Sequence, residues 1–208
     1  MRNLLPALLL AVLHGLLQAG PVDELTIAAE RNNGSGVLTL LLRGVDPNAA
    51  DSNGRTALNV ALREESDKAF NSLLAYPQLD VNTANANGET PLMMAALKGR
   101  LEWVQLLVKR GAKINRGGWT PLHYACSGPD NGVALWLIAQ GADINARSPN
   151  GTTPLMMSVR YGPVDLAEDL LKAGADRMLR NEQQLDAADF ALAAGRDRLL
   201  QLLRPAPR

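Results

Sequence analysis

The residues best suited to covalent chemistry are His123 and Cys126, which stand three positions apart in the segment His-Tyr-Ala-Cys. On a helix this spacing places two side chains on the same face, so an imidazole and a thiol could approach each other. The chain has one other histidine, His14, and no other cysteine. An internal disulfide is therefore excluded, and the ligands of a typical zinc site are lacking. A thiol-dependent enzyme using this pair is one hypothesis for function.

Charge and composition argue against several other classes of protein. The 208 residues include 21 Lys plus Arg and 21 Asp plus Glu, so the formal net charge is zero. Because no overall positive field is present, we expect no nucleic-acid partner. Hydrophobic residues make up 47% and charged residues 20% of the chain, proportions typical of a globular protein and not of a disordered or polytopic membrane protein. Nothing in the sequence calls for a metal or a cofactor.

The N-terminus has the plan of a secretory signal peptide. Arg2 supplies a positive start, an apolar stretch runs from Leu4 to Leu17, and Ala19 is a small residue ahead of a cleavage site. We therefore expect residues 1–19 to be removed, and residues 20–208 to form a periplasmic or secreted protein with no membrane insertion. The alternative is a cytoplasmic scaffold in which the apolar stretch forms a capping helix.

An internal repeat organises the rest of the chain. Four segments of similar sequence begin GRTALN, GETPLM, GWTPLH and GTTPLM, and their threonines are Thr56, Thr90, Thr120 and Thr153. The spacings between these threonines are 34, 30 and 33 residues, and a period of this size is typical of a solenoid. The register extends 33 residues outward to Asp23 and to Asp186.

The repeated residues predict where helices start and stop. A threonine hydroxyl can accept a hydrogen bond from an exposed N–H of the first turn, and a proline at the first helical position lacks a donor. Gly111, Gly141 and Gly174 are placed to end the second helix of their repeats. Residues 51–54, 85–88 and 148–151 are rich in Asn, Ser and Gly, which favours turns. Each repeat is predicted to contain two helices and a projecting β-turn finger.

These motifs resemble the G-x-T-P-L-H and L-L-x-x-G-A-D-x-N signatures of the ankyrin repeat. The resemblance covers Pro21 to Leu203 as about six repeats, at approximately 21–48, 49–82, 83–115, 116–145, 146–178 and 179–204. It implies an all-α ankyrin-repeat solenoid in one domain, and a protein-binding function without catalysis. It also implies that His123 is a structural hydrogen-bonding residue and that Cys126 occupies a small buried position.

Packing between repeats and one irregular finger are also predicted. Six leucines are expected to face neighbouring repeats, namely Leu92, Leu106, Leu122, Leu137, Leu155 and Leu170. The 30-residue spacing arises because only Arg116 to Trp119 separates Asn115 from Thr120. We therefore expect one short finger, with Trp119 beside it. Trp103 and Trp136 are expected to pack on second helices.

The resemblance implies that the concave face, made of finger tips and the exposed sides of the first helices, binds the partner. The candidate partner-binding residues at these positions are Arg55, Arg63, Glu89, Lys98, Trp119, Tyr124, Arg160 and Tyr161. Trp, Tyr and Arg often anchor interfaces, although Tyr124 could instead be a packing residue. We expect a monomer that binds a protein: an envelope enzyme that it supports, a toxin that it neutralises, or a host protein.

Overall fold

The computed structural model describes residues 20–204, and the predicted signal peptide therefore lies outside the described residues. Within residues 20–204 the regular structure is helical, apart from an isolated bridge between Ala50 and Thr56. The helices are α1 (Pro21–Glu30), α2 (Gly34–Leu42), α3 (Ala57–Arg63), α4 (Asp67–Leu74), α5 (Pro91–Leu97), α6 (Leu101–Lys109), α7 (Pro121–Ala125), α8 (Asn131–Ala139), α9 (Pro154–Tyr161), α10 (Val164–Lys172), α11 (Ala187–Ala193) and α12 (Asp197–Leu203). None of these described helices is long and apolar enough to cross a membrane.

The chain forms two compact units, one up to Asp80 and the other from Val81 onward. The first unit contains α1–α4 and the second contains α5–α12. Within each unit the odd-numbered helices, which are the first helices of the repeats, pack in one row, and the even-numbered second helices pack in another. Each first helix also packs on the second helix that follows it. The predicted all-α repeat architecture is confirmed, whereas a single domain over 20–208 stays a prediction.

Threonine side chains start the first helices as predicted. The hydroxyls of Thr56, Thr90 and Thr153 accept hydrogen bonds from the backbone N–H three residues later, at 3.5, 3.4 and 3.4 Å. Asp186 has the same role in the last repeat, where its carboxylate accepts from the N–H groups of Ala188 and Asp189. Each cap satisfies a donor that the helix itself leaves without a partner.

The core lies between the two rows of helices and is built from leucines and small residues. Small side chains recur in the first helices, at Ala28, Ala61, Ala95, Ala125, Ser158 and Ala191, and all are buried. Five of the six leucines predicted to face other repeats are buried, but Leu106 is half-buried. Leu107 is fully buried instead, because it stands four residues before Gly111, the register that Leu137 holds relative to Gly141.

Asparagine side chains join the loop of one repeat to the loop of the next. The Asn82 amide donates to the carbonyl of Gly111 at 3.1 Å and accepts from the N–H of Lys113 at 2.8 Å. Asn48 and Asn115 repeat the pattern with the loops that follow them. These two-point bridges explain why asparagine recurs at this position, because its amide supplies both a donor and an acceptor.

The fingers are hydrogen-bonded β-turns, as predicted. In three of them the glycine N–H donates at 2.8 Å to the carbonyl three residues earlier, in the pairs Gly54–Asp51, Gly88–Asn85 and Gly151–Ser148. The finger of the sixth repeat is a turn from Asn181 to Gln184, whose residues were not specified by the sequence, because Gln184 takes the positive φ of 62° that glycine takes elsewhere. Residues 117–119 bend without such a turn, so the short finger is confirmed.

Candidate functional site

His123 is fully buried in α7. Its Nδ1 lies 2.8 Å from the hydroxyl and 3.2 Å from the N–H of Thr120, and its Nε2 lies 3.0 Å from the carbonyl oxygen of Thr152. A backbone N–H can only donate and a carbonyl can only accept, so this hydrogen bonding assigns the ring proton to Nε2. Burial lowers the pKa of His123. The imidazole is therefore a neutral bridge between α7 and the finger of the fifth repeat.

Cys126 is also fully buried, and burial raises the pKa of its thiol far above the ordinary value. The thiolate is the reactive form of cysteine, so a thiol in this environment is inert. Because both nitrogens of His123 are already hydrogen-bonded, the pair is not arranged for nucleophilic catalysis. Among residues 20–204, no group of three or more His, Cys, Asp or Glu side chains is placed to hold a metal ion.

A surface pocket of about 350 Å³ lies among the first helices of the second unit. Its lining is mostly apolar and aromatic, and comprises Leu97, Trp119, Tyr124, Ser127, Met157 and Tyr161. We call it the Trp119 pocket. Helices α5, α7 and α9 supply most of these residues, and Trp119 follows the short finger. Its volume is at the lower end of the ~300–1,000 Å³ typical of ligand sites, which suits one or two side chains.

The short finger and His123 together position Trp119. Gly118 has a φ of 79°, a left-handed conformation that glycine adopts without a Cβ clash. The Trp119 ring then meets the His123 ring edge-on, with the centroids 5.2 Å apart and the planes at 76°. This is a favourable arrangement of two aromatic rings. Trp119 is half-buried, so one part of its ring is packed against the protein while the rest is exposed to solvent.

Tyr124 and Glu89 are hydrogen-bonded to each other at the pocket. The Tyr124 hydroxyl donates to Glu89 Oε1 at 3.1 Å, and the Asn85 amide donates to Glu89 Oε2 at 2.8 Å. Burial, and then the charge of Glu89, raise the pKa of Tyr124 to about 12. The phenol therefore remains a hydrogen-bond donor throughout the physiological pH range, and the carboxylate is held in place.

Two arginine side chains lie close to aromatic residues that line the pocket. The Arg160 guanidinium lies 5.2 Å from the centre of the Tyr161 ring, a cation–π distance. Arg116 donates to the carbonyl of Gly88 at 2.7 Å, and its charge is close enough to oppose the rise in the pKa of Tyr124. Lys98 directly follows the lining residue Leu97. Of the six predicted binding residues of the second unit, Trp119, Tyr124 and Tyr161 thus line the pocket, and Glu89 and Arg160 contact lining side chains.

The other two predicted binding residues, Arg55 and Arg63, belong to the first unit. Arg55 forms ion pairs with Asp51 at 2.8 Å and with Glu30 at 3.5 Å. Arg63 pairs with its neighbour Glu64 at 2.8 Å. Both arginines are therefore already engaged with carboxylates of their own unit, and their role in binding stays a prediction.

Sequence reasoning did not single out every residue that lines a cavity. Leu97, Ser127 and Met157 lie on the predicted face but were not candidate binding residues. Position within the repeat could have identified two of them. Leu97 and Ser127 each stand seven residues after the helix-starting threonine of their repeat, as the candidate Arg160 does. A smaller cavity of about 120 Å³ was missed because the last repeat has lost the consensus. Its lining is Arg160, Gln183, Leu185, Asp189, Phe190, Ala193 and Ala194.

Comparison with known proteins identifies the repeats. The family described as "Ankyrin repeats (3 copies)" matches residues 25–117, 66–148 and 115–181. The human transient receptor potential cation channel subfamily A member 1 is 30% identical over 177 residues, covering 80% of this chain and 16% of that protein. The mouse B-cell lymphoma 3 protein homolog is 31% identical over 152 residues, covering 70% and 34%. The chain thus spans at most about a third of either relative.

Two solved structures share the fold. The ankyrin repeat domain of Bcl-3, a member of the IkappaB protein family, matches with a TM-score of 0.70 and 30% identity, covering 87% of this chain and 81% of that one. A chain from the complex of the Bd0816 predatory endopeptidase of Bdellovibrio bacteriovorus with the immunity protein Bd3460 has a TM-score of 0.75 and 26% identity. That match covers 89% of this chain and 98% of the other.

Proposed function

This chain belongs to the ankyrin-repeat family, and from that premise we propose that it is a non-catalytic module that binds a partner protein through its concave face. That face comprises the fingers and the exposed sides of the first helices. The observation that carries the proposal is the Trp119 pocket, which gathers Trp119, Tyr124 and Tyr161 in a chain with only 4% aromatic residues.

The exposure of these side chains favours a binding role over a packing role. Tyr161 is 54% exposed, and Trp119 and Tyr124 are half-buried. Trp, Tyr and Arg are the residue types most enriched among interface hot spots. A partner of ordinary interface size would cover about 800 Å² on each side, and covering the pocket would remove its apolar lining from water.

Affinity purification and matched variants test this proposal. Partner proteins captured on the full-length chain are identified, and their affinities for Trp119→Ala, Arg160→Ala and Leu135→Ala are then measured. Leu135 is an exposed apolar residue on the second helix α8, so it controls for loss of an apolar surface group. We expect the first two variants to lose about 2 kcal/mol or more of binding free energy and Leu135→Ala to bind normally. Equal binding by all three variants would show that the pocket is not the binding site.

We also propose export to the periplasm or beyond, on the strength of the charged start and apolar stretch at residues 1–19. Intact mass spectrometry of the natively expressed protein, taken separately from cytoplasmic and envelope fractions, tests this. A species beginning near Gly20 in the envelope fraction is the expected result. A full-length cytoplasmic species would contradict export and would favour the scaffold with an N-terminal capping helix.

A more specific candidate is a protein that neutralises an endopeptidase. The similarity to a chain from an endopeptidase–immunity protein complex, over 98% of that chain, favours this partner type among the three that the sequence left open. The purified chain is then expected to bind and inhibit an endopeptidase from the same envelope fraction, and Trp119→Ala to inhibit less. Unchanged endopeptidase activity at a saturating concentration of the purified chain would exclude this candidate.

The enzyme hypothesis makes a different prediction for Cys126. A functional thiol would react with an alkylating reagent at neutral pH, whereas a buried thiol reacts only after unfolding. Because Cys126 is fully buried with a raised thiol pKa, we expect no modification of the native protein and complete modification in denaturant, measured by mass spectrometry. Rapid alkylation of the native chain would revive a thiol-dependent mechanism.

A further inference from the structure

The fingers of the last three repeats share a feature that the earlier repeats lack. The residue immediately before the finger is Arg116, Arg147 or Arg180 in these repeats, and it is Ala50 or Ala84 in the second and third. Each arginine hydrogen-bonds to a backbone carbonyl of a finger or its base, at 2.7 Å in every case. All three are exposed. The three guanidinium groups therefore lie at the finger loops of the third and sixth repeats, within the second unit, and we call them the arginine column.

The zero net charge of the whole chain conceals an excess of basic residues in the second unit. From Val81 to the C-terminus the sequence has 15 basic and 12 acidic residues, whereas the preceding 80 residues have 6 basic and 9 acidic ones. Hydrogen bonds to carbonyls hold the arginines in place without neutralising them, although Arg180 also lies 3.5 Å from the Asp186 carboxylate. The second unit thus has a net positive charge, and two of its arginines, Arg116 and Arg160, lie close to the lining residues Tyr124 and Tyr161.

The same contacts argue against a cationic guest in the pocket. An aromatic pocket next to a carboxylate can bind lysine or arginine, but both oxygens of Glu89 already accept hydrogen bonds, from Tyr124 and Asn85. Arg160 is stacked near Tyr161, and the charge of Arg116 reaches Tyr124. An incoming cation would meet these two arginines, so charge complementarity favours an uncharged group in the pocket with anionic groups around it.

We infer that the Trp119 pocket receives one large apolar side chain of an acidic segment in the partner protein, while the segment's Asp and Glu side chains contact Arg116 and Arg147. This inference rests on the proposed function and specifies the chemistry of the partner at the same site. One aromatic side chain buries about 150–250 Å², and the pocket of about 350 Å³ is at the small end of the range for ligand sites. The flanking carboxylates add charge-assisted hydrogen bonds to guanidinium groups.

Selection from a random peptide library displayed on phage, with the full-length chain immobilised, tests the inference. We expect the enriched peptides to combine one Phe, Trp, Leu or Met with several Asp or Glu residues. Labelled copies of the enriched peptides are then titrated against the chain and its variants at low and high salt. Enrichment of basic peptides, of apolar peptides without acids, or of no peptide would overturn the inference. So would a single-stranded oligonucleotide that displaces the peptides completely at low concentration, because it would assign the column to nucleic acid.

Variants separate the two parts of the site. Trp119→Ala and Tyr161→Ala are each expected to weaken the selected peptides about ten-fold, with folding of both checked by circular dichroism. Tyr161 is the more exposed of the two, so its removal tests the pocket without loss of core packing. Arg116→Gln and Arg147→Gln are expected to weaken binding about three-fold each and to reduce its salt dependence. Arg177→Gln removes the same charge from an exposed loop after α10 and serves as the matched control.

The outcomes also distinguish this inference from the proposed function. If the selected peptides are not acidic but their binding is lost in Trp119→Ala, the concave-face function stands and the acidic partner is wrong. If Trp119→Ala and Leu135→Ala bind the peptides and the captured partner equally well, the site itself is wrong. If Arg177→Gln weakens binding as much as Arg116→Gln does, the column has no special role and the inference fails.

Discussion

The residue before the helix-starting threonine has different roles in the second and fourth repeats, which belong to different units of this protein. In the first unit it is Arg55, which is held between Asp51 and Glu30. In the fourth repeat, which belongs to the second unit, it is Trp119, whose ring packs against that of His123 and lines an open pocket. Both residues stand at the same position of the repeat. The difference in their contacts therefore comes from the type of side chain. An ion-paired arginine stabilises its own unit, whereas the half-buried tryptophan keeps part of its ring exposed, as the proposed binding role requires.

The largest effect on stability is expected from substitution of His123, whose ring packs against Trp119. His123→Ala removes the hydrogen bonds to Thr120 and Thr152 and leaves a cavity, so we expect the second unit to lose about 3 kcal/mol of stability. Chemical denaturation followed by tryptophan fluorescence measures this, because all three tryptophans, at positions 103, 119 and 136, lie in the second unit.

His123→Met is the matched control. Methionine stands at this position in the third and fifth repeats, where the sulfur atoms of Met93 and Met156 lie 3.3 and 3.4 Å from the threonine N–H. Methionine fills the volume and still accepts that hydrogen bond, so its cost is expected to be about half that of alanine. Equal losses in both variants, or a loss below about 1 kcal/mol in alanine, would contradict a structural role for the imidazole.

Acidic pH is expected to destabilise the first unit, in which Arg55 pairs with Asp51. Burial raises the pKa of Asp51, but hydrogen bonds from Arg55, Thr26 and Asn53 outweigh burial and hold that pKa below its ordinary value. The carboxylate therefore stabilises the fold fully above the unfolded pKa of about 3.9, and this contribution disappears as the pH falls through the folded pKa. Hydrogen exchange of residues 20–80 at neutral and acidic pH measures the change.

Asp51→Asn tests whether this carboxylate is the cause. The variant is expected to be less protected than the wild type at neutral pH, and to lose less further protection below about pH 4. If the variant and the wild type lose protection in parallel as the pH falls, the acid sensitivity of the first unit arises from other groups.

A smaller effect is expected for Arg55 itself. Its side chain is partly exposed, at 27%, so solvent screens its two ion pairs and Arg55→Ala should cost about 1 kcal/mol or less. Hydrogen exchange of the first unit measures this cost. A loss as large as that of His123→Ala would mean that the ion-paired position is as structurally important as the buried histidine, and the proposed difference between the units would fail.

The smallest effect concerns the Tyr124 phenol. Its pKa of about 12 arises from burial first and the Glu89 charge second. Glu89→Gln removes the charge and keeps the shape, so the pKa should fall but stay above the ordinary value of about 10. Ultraviolet titration of the wild type and the variant, each compared with its Tyr124→Phe form, measures the shift. An unchanged pKa would show that Glu89 does not act on this hydroxyl.

Most of the fold could be predicted from the sequence because the same cap and turn residues recur in several repeats. Thr56, Thr90 and Thr153 are helix caps as predicted, and three fingers are the turns that their glycines indicate. The residues of the finger ending at Gln184 were not predicted, because a glutamine with positive φ has no compositional signal. The assignment of Leu106 to the core was wrong by one residue, since two leucines stand side by side and only the glycine register separates them.

The sequence predicted the face on which the Trp119 pocket lies, but not the contacts within the pocket. The sequence placed Trp119, Tyr124 and Tyr161 on the same face, because equivalent positions of successive repeats align in space. It could not show that Trp119 stacks on His123 or that Tyr124 donates to Glu89. Those contacts depend on side-chain rotamers and on the short finger, which no periodicity determines. It also selected Arg55, which is engaged in ion pairs, as a candidate binding residue and left out Arg116, which donates to a carbonyl.

Site-specific photo-crosslinking in the native cell tests the central claim most directly. A photoreactive phenylalanine analogue replaces Tyr161 at the pocket, Glu64 at the equivalent position of the second repeat, or Leu135 on a second helix. We predict a discrete crosslinked partner from position 161, weaker crosslinking from position 64 and none from position 135. Crosslinking to the same partner from position 135 but not from position 161 would contradict binding through the Trp119 pocket.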